Sequence, residues 1–275
     1  MQQTILYILF FCIGTLFGSF FTLAVYRIPL HQDITHKRSY CPNCNHKLSF
    51  FDMIPILSYI FLGGKCRYCK QKIRIRYLFL EILTGMVFLL FAMSLNLDFM
   101  QINIGKLVYL ILGFFFIAGL IIIAGIDKER CKIQKELILF EIIVVCMYMI
   151  YLYTVESANI YRYVIYLSII CLLSVTENEY LRKKMKNYYP IDILQLSIIM
   201  SMFTNEMIFI FTAIFTLLAI SIKKLIEIIK QGKNKKEKIR KVTFENLPIG
   251  YYLCICNILV IIIVNYFAFR GVKWI

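Results

Sequence analysis

Along the chain, apolar residues come in long runs parted by short polar and basic stretches. Eight runs can be drawn, over residues 5–25, 77–93, 107–126, 137–153, 161–175, 191–203, 207–222 and 248–269. Most approach the roughly 20 residues that a membrane-crossing helix requires. The pattern predicts an all-α, polytopic membrane protein of about eight transmembrane helices. The sixth run is short, and Thr204, Asn205 and Glu206 alone part it from the seventh. A helical hairpin and a broken or re-entrant helix both fit that pair.

Composition excludes the soluble alternatives. Of 275 residues, 60% are hydrophobic, against about 45–50% in an ordinary globular domain. Twelve Gly and five Pro are too few for a collagenous or disordered chain, and ten Cys scattered through apolar sequence do not suit a disulfide scaffold. The formal charge of +15 first suggests nucleic acid, but 27 of the 31 Lys and Arg fall in four loops, at 27–76, 128–135, 182–186 and 223–241. Eight spans put all four loops on one side, and basic loops mark the cytoplasm. Both termini are then outside, and the charge calls for no nucleic-acid partner. Basic residues follow the first run and none precedes it, so that run is expected to be a retained helix, not a cleaved signal peptide. No internal repeat is expected. The lysine-rich stretch at 231–238 is expected to lie solvated near anionic membrane lipid.

The loop between the first two spans carries Cys41-Pro-Asn-Cys44 and, after 21 intervening residues, Cys66-Arg-Tyr-Cys69. Two such pairs can bring four sulfurs to one tetrahedral metal, and zinc suits the thiolates. Lys47, Lys65, Arg67, Lys70 and Lys72 lie near in sequence to offset the charge. A reducing cytoplasm disfavours disulfides there. Four protein ligands leave no open position, so the expected role is structural. Core packing is expected of Cys12, Cys131, Cys146, Cys171, Cys254 and Cys256. His31, His36 and His46 have no evident triad partner.

Charge within a span needs a reason. Asp127 follows the third run and Asp192 opens the sixth. The topology puts both at the cytoplasmic face, where two carboxyls sharing a water could split the roles of base and acid. Taken singly, each also fits an ordinary helix-end residue, Asp192 as a first-turn acid after Pro190. Asp52, Glu81, Glu177 and Glu179 are further acids expected at the same face.

These residues resemble one family, the bacterial type IV prepilin peptidases (prepilin leader peptidase/N-methyltransferases). Gly18-Ser19-Phe20 with Tyr26-Arg27-Ile28-Pro29 is similar to the family's opening element. The two cysteine pairs, with Asp52-Met-Ile-Pro55-Ile-Leu-Ser58-Tyr59 between them, are similar to its cysteine loop, and Arg76-Tyr77, Glu81 and Thr84-Gly85 continue the pattern. Gly125-Ile126-Asp127 resembles the first aspartate motif, although Ile133-Gln134-Lys135 stands where the family has Ile-Pro-Asp. The second aspartate normally follows Gly-x-Gly; here Tyr189-Pro190-Ile191 precedes Asp192. Asn246-Leu247-Pro248-Ile249-Gly250 resembles the element before the last span.

The resemblance implies an intramembrane-type aspartic endopeptidase. Asp127 and Asp192 would be catalytic, Cys41, Cys44, Cys66 and Cys69 would hold a structural zinc, and the substrates would be type IV prepilins or pseudopilins cut at the cytoplasmic face of the inner membrane. It also implies S-adenosylmethionine as a methyl donor, for which the sequence has no Gly-rich nucleotide loop. The expected organisation is a first transmembrane helix over 1–25, a cytoplasmic zinc-binding domain over 26–76 and a transmembrane peptidase domain over 77–275. The departures around Asp192 motivate an alternative, a catalytically impaired paralogue that binds prepilins or assembly proteins. A transporter or channel fits less well, because the acids lie at span ends.

Overall fold

A computed structural model describes residues 2–34, 39–97, 104–156, 161–176, 189–233 and 247–268. Among them are nine α-helices: α1 (Gln2–Arg27), α2 (Leu57–Phe61), α3 (Arg76–Ser94), α4 (Ile104–Arg130), α5 (Lys135–Glu156), α6 (Tyr161–Thr176), α7 (Tyr189–Thr204), α8 (Glu206–Lys233) and α9 (Ile249–Ala268). Every apolar run of the sequence falls on a helix. Six helices are long and apolar enough to cross a membrane, whereas α6 and α7 are apolar but shorter. Their 16 residues each reach about 24 Å, short of a hydrocarbon core of about 30 Å. The expected eight spans therefore become six full-length helices and two short ones. His36, Glu177, Glu179, Asn246, the basic loop at 182–186 and the stretch 234–241 lie outside the described residues.

Two compact units form, residues 1–110 with 265–275 and residues 111–264. In the first, α1 packs along α3. Gly14 and Gly18, one turn apart, make this possible: a Cβ at Gly14 would come 2.8 Å from Gly85 Cα, and one at Gly18 2.9 Å from Glu81 Cα. Small residues at such spacing let two membrane helices approach backbone to backbone. Phe17 and Phe88 stack beside them with centroids 5.7 Å apart. Past α1 the chain turns through Pro29 and His31, the latter at φ 50, and the Arg27 guanidinium donates to Asp33 O at 3.0 Å.

In the second unit α7 touches α5, α6 and α8. Buried Phe203 of α7 stacks on buried Phe116 of α4 at 4.2 Å and packs on Tyr148 of α5 at 5.2 Å. The sixth and seventh runs are separate helices in contact, as in the hairpin reading. Between them Asn205 takes φ 123, and its Oδ1 accepts the Glu206 N–H at 2.8 Å.

Candidate functional site

The four cysteines predicted as metal ligands come together: the Sγ atoms of Cys41, Cys44, Cys66 and Cys69 all lie within 4.8 Å of one another. Each pair sits on the same knuckle. Cys41 N–H donates to His46 O and Asn45 N–H to Cys41 O; Cys66 N–H donates to Gln71 O and Lys70 N–H to Cys66 O. Asn45 (φ 55) and Lys70 (φ 59) turn the two chains alike, and bridges pair Tyr40 with Lys47 and Lys65 with Lys72. The lobe is thus a short local repeat offset by 25 residues, which the sequence reading missed because only the cysteines, the lysine pair Lys47 and Lys72, and the turn geometry recur. Sulfurs around a tetrahedral zinc lie about 3.8 Å apart, given Zn–S of about 2.3 Å; Cys41 and Cys69 are 3.8 Å apart. The donor set and spacing fit zinc.

Backbone amides polarise this cluster. The Cys44 amide draws the Cys41 thiol below its ordinary range. The Gln71 amide, with Asn43 Nδ2 at 3.6 Å, draws Cys69 down to about 6. The His46 amide favours a Cys44 thiolate too, but desolvation and the crowding of Cys41 and Cys69 outweigh it and push Cys44 up to about 11. Sulfurs this close do not all ionise without a cation among them.

Asp52 and Glu81 brace the lobe. The Asp52 carboxylate accepts the Ser49 N–H at 3.2 Å and hydroxyl at 2.9 Å, Arg67 Nε at 2.7 Å and the Tyr68 hydroxyl at 3.3 Å. His46 of the first knuckle packs on Tyr68 of the second. Glu81 Oε2 accepts the Ile56 N–H at 2.8 Å and the carboxyl also bonds the Ser19 side chain. Ile56 has φ 62, costly for a β-branched residue, and the bond to Glu81 helps hold it there.

The second unit holds the acids. Asp127 stands in the last turn of α4 and is fully buried. Its Oδ2 accepts the Tyr189 hydroxyl at 2.7 Å and the Tyr251 N–H at 2.8 Å. The same tyrosine oxygen accepts the Gly250 N–H at 3.0 Å. Gly250 and Tyr251 belong to the first turn of α9, whose N–H groups have no partner inside the helix; they are given to the carboxyl and the tyrosine. A Cβ at Gly250 would lie 3.1 Å from Asp127 Oδ2 and 3.3 Å from Ile133 Cδ1, so a glycine lets α9 start this close. Asp127 Oδ1 has no hydrogen-bond partner among the described residues.

Asp192 is buried in the first turn of α7. It follows Tyr189 by three residues, so both lie on one helix face. One turn further, buried Gln195 donates to Ser174 Oγ of α6 at 3.2 Å. Lys128 lies over the Tyr251 ring at 4.9 Å and Lys223 over Tyr252 at 5.4 Å. Asp127, Tyr189 and the start of α9 thus form one hydrogen-bonded group, and Asp192 lies three residues along α7 from that tyrosine.

Residues 12–95 match the family model described as Bacterial Peptidase A24 N-terminal domain. These residues carry a match to that domain, and the resemblance of the chain to the prepilin peptidase family rests on them. It is similar to proteins named prepilin leader peptidase/N-methyltransferase: 42% identical over 78 residues to one from Myxococcus xanthus (28% of this chain, 23% of that protein). To one from Vibrio cholerae it is 40% identical over 83 residues (27% and 33%). To one from Bacillus subtilis it is 36% identical over 130 residues (47% and 49%). The matches thus span at most about half the length of these relatives. No solved structure matches.

Two residues escaped the sequence reading, half-buried Tyr189 and fully buried Glu141. Tyr189 figures in the sequence only as a replacement for a family glycine, and its position three before Asp192 is the available signal. Glu141 interrupts the fourth apolar run. It is fully buried on α5, neither oxygen has a hydrogen-bond partner among the described residues, and it abuts Gly119 of α4 so closely that a Cβ there would overlap Oε1.

Proposed function

We propose that the chain is an aspartic endopeptidase that removes the basic leader from type IV prepilins or pseudopilins, with Asp127 and Asp192 as its catalytic pair. The site would face the cytoplasm at the inner membrane. The observation that carries this reading is the state of the Asp127 carboxyl: Oδ2 is held by Tyr189 and α9, while Oδ1 has no partner among the described residues. Oδ1 is the atom to take a proton from water. Asp192, on the same helix face as Tyr189, supplies the acid that polarises the scissile carbonyl. The water oxygen bonds to the carbonyl carbon. The C–N bond then breaks as the leaving amine takes a proton from the pair.

The zinc-binding domain at 26–76 would be structural, because four thiolates leave zinc no position for water. Methylation of the new N-terminus by S-adenosylmethionine is carried only by the relatives' name, and none of the described residues is assigned to hold that cofactor.

One observation favours the second reading, a paralogue that binds prepilins without cutting them. The Tyr189 hydroxyl occupies Asp127 Oδ2 where the family's glycine would leave it open. Co-expression with a prepilin from the same genome, followed by gel shift and intact mass, separates the two. Cleavage by wild type, falling at least about 100-fold in both Asp127→Asn and Asp192→Asn, supports the enzyme. Absence of cleavage in zinc-loaded wild type, with cleavage gained in Tyr189→Gly, supports the paralogue.

A further inference from the structure

The cysteine lobe carries an apolar face that no span accounts for. Phe50 is 75% exposed, Phe51 70%, Ile60 62% and Phe61 83%, and all four lie outside the six long apolar helices. Exposed apolar residues along a span meet lipid, but a cluster in a loop marks a surface with a partner. Phe51, Leu57, Phe61 and Leu62 also line a groove of about 290 Å³ with Arg67, so a guanidinium borders the apolar side chains.

Two observations say what the partner is. The first is depth. The Ile56 N–H is bound by Glu81, the sixth residue of α3, so α2 begins about 8 Å along that helix from Arg76. If α3 crosses the membrane, α2 starts at the level where headgroups give way to acyl chains. The second is charge. Lys65, Arg67, Lys70, Lys72, Arg74 and Arg76 are all exposed. An aromatic and aliphatic face bordered by basic residues, held at that depth, has the chemistry of an interfacial membrane anchor.

We propose that the face formed by Phe50, Phe51, Ile60 and Phe61 inserts into the headgroup boundary of an anionic bilayer. The lobe would then be held down at its outer surface as well as by α1 and α3. The test uses the full chain in vesicles and a tryptophan placed by Phe61→Trp, with Phe50→Trp as a second reporter if the first variant fails to fold. Zinc content equal to the parent's is the folding control, and the emission of the parent's single tryptophan, Trp274, is subtracted. Vesicles of phosphatidylglycerol and phosphatidylcholine carry lipids brominated near the carbonyl end of the acyl chain. The new tryptophan is expected to lose most of its emission to the bromines and little to aqueous iodide, and the bromine effect weakens in pure phosphatidylcholine. Strong quenching by iodide alone overturns the proposal in favour of a solvated face. Protection from both quenchers overturns it in favour of cover by protein.

Discussion

In the cysteine lobe the ligands come from two short knuckles, and most of what shapes each knuckle lies within that knuckle. At Asp127 the partners come from 62 and 124 residues away. The lobe gathers thiols, which resist being brought together in ionised form, and the other site buries a carboxyl, which resists ionising away from water. The lobe answers with local turns, amides aimed at sulfur and room for one cation. The carboxyl centre answers with tertiary contacts: a helix start, a tyrosine from another helix and a glycine that lets them close. Local devices recur in sequence and can be matched across relatives. Tertiary ones depend on which helices meet, so their residues can change as long as the contact survives. The family model that matches, itself a model of an N-terminal domain, covers residues 12–95, where the lobe lies.

If the lobe rests on its metal, removing the metal has the largest effect. A structural zinc supplies an apparent 10–16 kcal/mol or so at neutral pH, far more than a lobe of this size otherwise holds. Cys66→Ser is expected to lose zinc and open residues 39–75 to protease, while the helices of 111–264 keep their helical signal. A metal-free variant as protease-resistant as wild type would sink the view that the metal holds the lobe. Next in size is Gly250→Val, which acts on the other region alone. Its side chain meets the Asp127 carboxyl, and a displacement near 1 Å at a reacting group costs roughly 100-fold in rate. Prepilin cleavage is expected to fall by about that factor with zinc content unchanged. Undiminished cleavage would mean that the start of α9 does not position Asp127.

The same contrast explains what could be seen in the sequence. The four cysteines were legible because their spacing is itself the structure. Asp127 and Asp192 stood out because a charge at the end of an apolar run is costly. That Asp127 meets the starts of α7 and α9 was not legible, since Tyr189 and Gly250 carry no charge and no local pattern joins them to residue 127. The eight apolar helices were legible, but at α6 and α7 hydropathy marks an apolar helix without saying whether a 16-residue one crosses. Glu141 is the plainest omission: a carboxyl inside an apolar run should itself be suspected of function.

Glu141 also offers a test confined to the second unit. Gly119→Ala puts a methyl where the Glu141 carboxyl sits, an overpacking expected to cost about 1–3 kcal/mol. Adding Glu141→Ala to the same chain frees the space, so the double variant should recover much of that loss. Thermal unfolding in detergent measures both. If the two losses simply add, the two residues do not compete for that space.

The smallest effect, and the one that divides the lobe's stability between metal and protein, is expected of Asp52→Asn. The Asp52 side chain is 2% exposed, but its partner Arg67 is 51% exposed, so the pair is partly screened. Losing the charge-assisted bonds should cost about 1 kcal/mol, read as zinc passing to a chelator several-fold faster. Burial alone would raise the Asp52 carboxyl. The Ser49 hydroxyl and N–H, with the Arg67 guanidinium, outweigh it and hold the group below its ordinary value. A carboxyl depressed on folding contributes fully above the ordinary value of about 4 and loses its contribution as pH falls through the folded value. The gap between wild type and Asp52→Asn should therefore be constant around neutral pH and begin to close only below about pH 4. Acid releases zinc from thiolates before that point, so zinc transfer reads the constancy of the gap, from neutral pH down to the pH at which the wild type gives up its metal. A gap that closes between about pH 5 and 7 would mean that some other group, and not this carboxylate, ties the Ser49 turn to the second knuckle.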